Sequence, residues 1–208
     1  MAHVILVHGL GATDKSWFRI PDALTDTGHR VANVALPKAK HSSLNDFAAK
    51  VALELTPNEK SVLIGHSMGG LSISQVAADN PDRVSQLIYV CALVPKNGES
   101  AGEIIGALGT SLDDVGAEFD RVGISSDHPS RRFPVLGTLL DKFRSSSAFA
   151  VIPKHYVKCS RDTVILPGKQ QEMVNKWSGM TASSIPSGHI PQKEEPDKLM
   201  RVILDVIQ

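Results

Sequence analysis

The stretch Ser61-Val62-Leu63-Ile64-Gly65-His66-Ser67-Met68-Gly69-Gly70 decides how the rest of the chain is read. Its opening residues form an apolar strand-like run, and the residues after Met68 follow a helical pattern. Between them lies Gly65-x-Ser67-x-Gly69. A strand that turns through Gly-x-Ser-x-Gly into a helix is the setting in which a serine is presented as a nucleophile. Ser67 then occupies a strained turn that lifts its hydroxyl off the C-terminal edge of a sheet. Gly65 and Gly69 leave no side chain to collide with the neighbouring strand and helix. The helix that follows brings its N-terminal dipole and the N–H of Met68 beside a reacting carbon. A Gly/Ser-rich turn that matches by accident is the alternative, and the flanking strand and helix argue against it.

Outward from this turn, short apolar runs alternate with longer amphipathic ones, the pattern of parallel strands joined by helices. Strands are expected at His3–Val7, Arg30–Ala35, Ser61–Gly65, Val84–Cys91, Ala150–Cys159 and Met180–Ile185. Several are apolar on both faces, as a sheet covered on both sides requires. Helices are expected near Ser16–Thr27, Ser43–Thr56, Met68–Asn80, Pro167–Trp177 and Pro196–Ile207, with Pro81 closing the third. The expected fold is α/β, an open, doubly wound, mainly parallel sheet of about six strands in a single domain spanning 1–208.

The exception runs from about Pro95 to Phe149, rich in glycine and without a convincing strand. Helical periodicity is partial around Ala101–Leu108, Leu112–Phe119 and Leu136–Phe143. This segment reads as a lid lying over the sheet rather than a second domain, since long connections in compact domains are uncommon and often functional. Phe119, Phe133, Phe143 and Phe149 are its candidate apolar contacts, either to a substrate or within the lid itself. Trp17 and Trp177 read as packing residues on helices flanking the sheet.

Composition excludes several function classes. The chain has 208 residues, 42% of them hydrophobic, enough for a sizeable core. Twenty-two basic residues balance twenty-two acidic ones, and the most basic spot, Arg131-Arg132, is only a pair. No nucleic-acid footprint results. No apolar run approaches the length of a membrane span. The apolar opening Val4–Val7 lacks the basic flank and cleavage site of a signal peptide and reads as a first strand, so a cytoplasmic location is expected. Cys91 and Cys159 read as buried reduced thiols, with a disulfide between them as the alternative, and two thiols without a Cys-His spacing argue against a structural zinc site.

A serine hydroxyl is a weak nucleophile until a base takes its proton. Of the eight histidines, His189 follows the last strand in Ser187-Gly188-His189, at the sheet edge where Ser67 is expected. His66, inside the turn, reads as a packing residue pointing away from Ser67, with a role in the pocket as the alternative; His3, His29 and His155 read as structural or solvated, and His41 and His128 as loop residues. An acid between nucleophile and base in chain order is supplied by Asp162, just past the fifth strand. A buried carboxylate there would hold the His189 tautomer and stabilise the imidazolium; a solvated aspartate beside Arg161 is the alternative. Asp113, Asp114, Asp120, Asp127 and Asp141 belong to the lid and have no sheet edge to fix them. The loop His8-Gly9-Leu10-Gly11 after the first strand supplies the backbone N–H of Leu10 as a second oxyanion donor facing Met68, unless His8-Gly9 is only a tight turn. Losing one such donor costs about 3 kcal/mol in transition-state stabilisation.

These residues give the chain a resemblance to the α/β-hydrolase superfamily over nearly its whole length, and within it to plant methylesterases, hydroxynitrile lyases and related bacterial esterases. The matching pieces are Val7-His8-Gly9, Gly65–Gly70, His155–Pro167 and Ser187–Pro191 with Glu194-Glu195-Pro196. The first two are superfamily-wide; Tyr156–Pro167 is more specific to the branch. The resemblance implies Ser67, Asp162 and His189 as a triad and the N–H groups of Leu10 and Met68 as an oxyanion hole. The lyases of the branch carry threonine after the first-strand histidine and lysine after the catalytic histidine, where this chain has Gly9 and Ile190. Ester hydrolysis through an acyl-enzyme is therefore expected, on a small-molecule ester and with no metal or organic cofactor. A lyase, a lactonase or a non-catalytic binder on the same fold are the alternatives. The lid is shorter than the branch usually has, which implies a shallow pocket or one completed by a second copy in a homodimer.

Overall fold

His3–Val7 is buried along its whole length because it forms β1, a central strand with a parallel neighbour on each side. The computed structural model describes residues 1–37, 42–109, 112–123 and 139–207. The other strands are β2 (Arg30–Val34), β3 (Ser61–His66), β4 (Val84–Val90), β5 (Lys154–Cys159) and β6 (Thr181–Ile185). They pair in the order β2-β1-β3-β4-β5-β6, every pair parallel. The order reverses at β1 and β3, the switch point at which open α/β sheets place their sites.

Helices α1 (Ile20–Asp26), α2 (Leu44–Ala52) and α3 (Gly69–Asp79) connect the first strands. Helices α4 (Ala101–Leu108), α5 (Leu112–Arg121) and α6 (Ser147–Ala150) lie between β4 and β5. Then come α7 (Pro167–Val174), α8 (Pro191–Glu194) and α9 (Pro196–Val206). Strand side chains alternate between two faces. Ile5, Val7, Leu63, Leu87 and Tyr89 pack with Phe47 and Val51 of α2 and Leu71 and Ile73 of α3. Val4, Leu6, Val62, Ile64, Ile88 and Val90 pack with Ile20 and Leu24 of α1 and Leu199 and Ile203 of α9. Helices on both faces bury both sets, which is why these strands carry apolar residues on both faces.

Two expected elements are divided. The helix expected over Ser16–Thr27 is a 3-10 turn at Asp14–Trp17, a left-handed Phe18 (φ 49°), and only then α1. Pro21 explains this: without an N–H it cannot sit inside a helix begun at Ser16, but it fits the first turn of one begun at Ile20. The strand expected over Ala150–Cys159 starts at Lys154, after α6 and Pro153. Lys154 donates through Nζ to the carbonyls of Phe149 and Ile152 at 2.7 and 2.9 Å, satisfying the end of α6. Burial lowers its pKa to about 8.

The segment from Pro95 onward is closed at its neck. Gly98 N–H donates to Phe143 O at 2.8 Å, and Phe143 N–H donates to Glu99 O at 2.9 Å. Helix α4 begins on a capping box made by Ser100 and Glu103. Phe143 and Phe149 are fully buried and edge to face at 5.2 Å, part of the core. The side chains of Phe119 and Phe133 and residues 136–138 lie outside the described part. Trp17 is fully buried against the sheet, on the 3-10 turn. Trp177, three residues beyond the end of α7, packs against Phe149 at 5.1 Å. Among the described residues, no helix is long and apolar enough to cross a membrane.

Candidate active site

Strand β3 ends at His66 and α3 begins at Gly69, leaving Ser67 and Met68 to make the turn. Ser67 has φ 53°, the left-handed region that costs a non-glycine residue about 1–3 kcal/mol. The neighbours hold it there: Ser67 N–H donates to Val90 O at 3.2 Å, and Ser67 O accepts from Leu93 N–H at 3.0 Å. A Cβ on Gly65 would lie 2.8 Å from the Gly69 carbonyl oxygen, and one on Gly69 would lie 2.5 Å from Val7 O. The glycines thus let helix and strand approach where any side chain would separate them.

Asp162 stands three residues past β5 and His189 four residues past β6, so both follow their strands at the edge where Ser67 follows β3. His189 Nε2 is 2.9 Å from Ser67 Oγ, and His189 Nδ1 is 2.9 Å from Asp162 Oδ2. Because a carboxylate faces Nδ1, that nitrogen carries the proton and Nε2 is left to accept from the Ser67 hydroxyl. Asp162 and His189 are both buried. Asp162 Oδ1 accepts from the N–H groups of Val164 and Ile165 at 2.8 and 2.9 Å. The solvated alternative for Asp162 does not describe this residue.

Leu10 and Met68 are both buried. Met68 follows Ser67 directly. The loop holding Leu10 presses on the serine, for a Cβ on Gly9 would lie 2.9 Å from Ser67 Cβ. His8 shapes this loop: its Nδ1 lies 2.9 Å from Gly9 O, and its Nε2 accepts from Leu36 N–H at 3.2 Å.

Three contributions were not foreseen from the sequence. His66, expected to be a packing residue, donates through Nε2 to the backbone carbonyl of His189 at 2.7 Å. Burial first, then the neighbouring His189, lowers the His66 pKa to about 3, so its ring is neutral. Gln170, fully buried on α7, donates to Asp162 Oδ2 at 3.2 Å and to the carbonyls of Cys159 and Ile165. Glu118 on α5 accepts the backbone N–H of His189 at 3.0 Å. Among the other candidates, His155 is buried and bonds Thr181 and Ser183, and Asp141 accepts from Leu44 N–H. His41, Asp127, His128 and the side chains of Asp113 and Asp114 lie outside the described part.

Cys91 and Cys159 are buried free thiols. Among the described residues, His66, Cys91 and His189 bring potential metal-ligand atoms within 4.8 Å of one another. Both His189 nitrogens are already engaged, and burial pushes the Cys91 thiol up. Cys91 Sγ instead donates to His189 O at 3.4 Å. This trio is built to seat an imidazole rather than to hold an ion.

A parallel, doubly wound sheet with a serine on a left-handed turn, facing a histidine and an aspartate, defines a hydrolase architecture. The chain belongs to the alpha/beta hydrolase family, whose model matches residues 4–202. Methylesterase 2 of Arabidopsis thaliana is 24% identical over 250 aligned residues, covering 98% of this chain and 95% of that protein. A pyrethroid hydrolase of Sphingobium wenxiniae is 28% identical over 242 residues, covering 97% and 86%. Among solved structures, a pyrethroid hydrolase superposes with a TM-score of 0.81 at 21% identity, over 99% of this chain and 96% of that one. A methylesterase from Arabidopsis superposes with a TM-score of 0.76 at 19% identity, over 100% and 99%.

Proposed function

We propose that the protein hydrolyses small carboxylic esters, with Ser67 as nucleophile, His189 as general base and acid, and Asp162 as the group that holds the imidazole. The run of contacts from Ser67 Oγ through His189 to Asp162, 2.9 Å at each step, carries this reading. Relatives named as methylesterases and as a pyrethroid hydrolase support an ester as the substrate class.

In the first step Ser67 gives its proton to His189 Nε2 as Oγ bonds to the acyl carbon. The carbonyl oxygen takes the negative charge and accepts from the N–H groups of Leu10 and Met68. His189 then protonates the departing alcohol, leaving an acyl-enzyme on Ser67. Water repeats the sequence through the same base and frees the acid. Ile190, buried and apolar, stands where the resembling lyases carry lysine, so that position offers no cation to a departing cyanide.

Ser67→Ala tests the assignment with p-nitrophenyl acetate. Turnover is expected to vanish while the circular dichroism spectrum is unchanged; retained turnover would refute the role of Ser67.

A further inference from the structure

Helix α5, in the segment between β4 and β5, sends a carboxylate to the backbone of the residue that faces Ser67. Glu118 is only 3% exposed. A buried carboxylate is strongly unfavourable unless its oxygens are matched by donors, and here they are. Oε1 accepts from His189 N–H at 3.0 Å and from Arg121 Nη2 at 2.7 Å. Oε2 accepts from Arg121 Nε at 2.8 Å and from the Thr163 hydroxyl at 3.4 Å. Arg121 thereby grips the carboxylate in a two-point fork, the strong form of this pair. That fork holds the Glu118 carboxyl below its usual range, aided by the His189 N–H and opposed by burial.

The surroundings are shaped to admit this arrangement. Arg121 Nη2 also pairs with Glu194 Oε2 at 2.9 Å, and Lys193 donates to Val122 O. Gly188, next to His189, leaves the space empty: a Cβ there would lie 2.5 Å from Arg121 Nη2, 2.6 Å from Glu118 Oε1 and 2.8 Å from Glu194 Oε1. The other polar groups of His189 are bound elsewhere, the ring by Asp162 and Ser67 and the carbonyl by His66 and Cys91. A simple latch between α5 and the body of the protein could end on any surface group. This one ends on the N–H of His189 and touches Thr163, the neighbour of Asp162.

We propose that Glu118, gripped by Arg121, is a positioning residue for His189, so that the seating of α5 sets the imidazole against Ser67. The proposal rests on the triad reading above. Its test uses the full chain with Glu118→Ala, Glu118→Gln and Arg121→Met. Two readouts are taken: steady-state kinetics on p-nitrophenyl acetate, and the proton NMR resonance of the His189 Nδ1 hydrogen shared with Asp162.

Glu118→Ala is expected to lower kcat about 10- to 100-fold with KM changed less than about threefold, the effect of a small misplacement of reacting groups. The His189 resonance should shift and broaden in the same variant. Glu118→Gln keeps an oxygen for the His189 N–H and should recover kcat to within about fivefold of the parent, with Arg121→Met between the two. Where Glu118→Ala does not fold, the two milder variants carry the comparison. A parental kcat with an unmoved His189 resonance overturns the proposal, as does a change confined to KM or thermal stability. The resonance is read without substrate, so it separates the two ideas. A shifted resonance together with Ser67-independent turnover would remove the triad and keep the positioning.

Discussion

His66 Nε2 lies 2.7 Å from the carbonyl oxygen of His189, so the residue preceding the serine also holds the backbone of the histidine that faces it. One turn of chain thereby fixes both partners of the Ser67–His189 contact. His66→Phe keeps a ring in the core but removes the donor, and is expected to lower kcat about 10- to 100-fold. His66→Gln retains a donor and should lose less. Steady-state kinetics on p-nitrophenyl acetate check this, and a parental kcat in His66→Phe would leave the bond without a catalytic role.

Neutralising Asp162 should be more severe. Asp162→Asn keeps the shape and the oxygen that meets Val164 and Ile165 N–H, but it no longer favours a proton on His189 Nδ1. The ring then turns its proton toward Ser67 and cannot accept one. A fall in kcat of about 10,000-fold is expected, with the thermal unfolding transition still cooperative.

The glycines around Ser67 separate activity from folding. Gly9→Ala places a methyl 2.9 Å from Ser67 Cβ, so kcat should fall with a modest change in Tm. Gly69→Ala places one 2.5 Å from Val7 O, against the backbone of a central strand. Overpacking of this kind costs about 1–3 kcal/mol, and a lowered Tm is the expected readout. Equal thermal losses in the two variants would contradict the distinction.

Stability should fall below pH 6.5 before the carboxylates titrate. Burial lowers the pKa values of His66, His3 and His155 from 6.5, that of His66 to about 3. Between the folded and unfolded values the unfolded chain binds more protons, so stability is complete above pH 6.5 and is lost as pH falls toward 3. Tm measured from pH 7 to pH 4 should decline, and His66→Gln should flatten the decline. An unchanged slope in that variant would mean that His66 is not held neutral.

Ser67, Asp162 and His189 were legible because each is set by something local: a glycine-flanked turn, or a position just past an apolar strand. Parallel strands deliver such positions to one edge whatever the remaining sequence. Glu118, Gln170 and the bond from His66 were not legible. Their roles depend on the direction a side chain takes once a helix has docked: α7 has little hydrophobic periodicity, and that of α5 does not single out a glutamate for burial. The break at Phe18 had a local cause that periodicity masked, since the apolar spacing across Ser16–Thr27 suits a helix while Pro21 forbids one entered so early.

The paired bonds joining Gly98 and Glu99 to Phe143 make the intervening stretch a loop whose two feet stand together. Lengthening it leaves the strands untouched and adds only about 0.6 kcal/mol of closure entropy for each doubling. Residues can therefore be added to or taken from this stretch outside α5 while the sheet that carries Ser67 stays as it is.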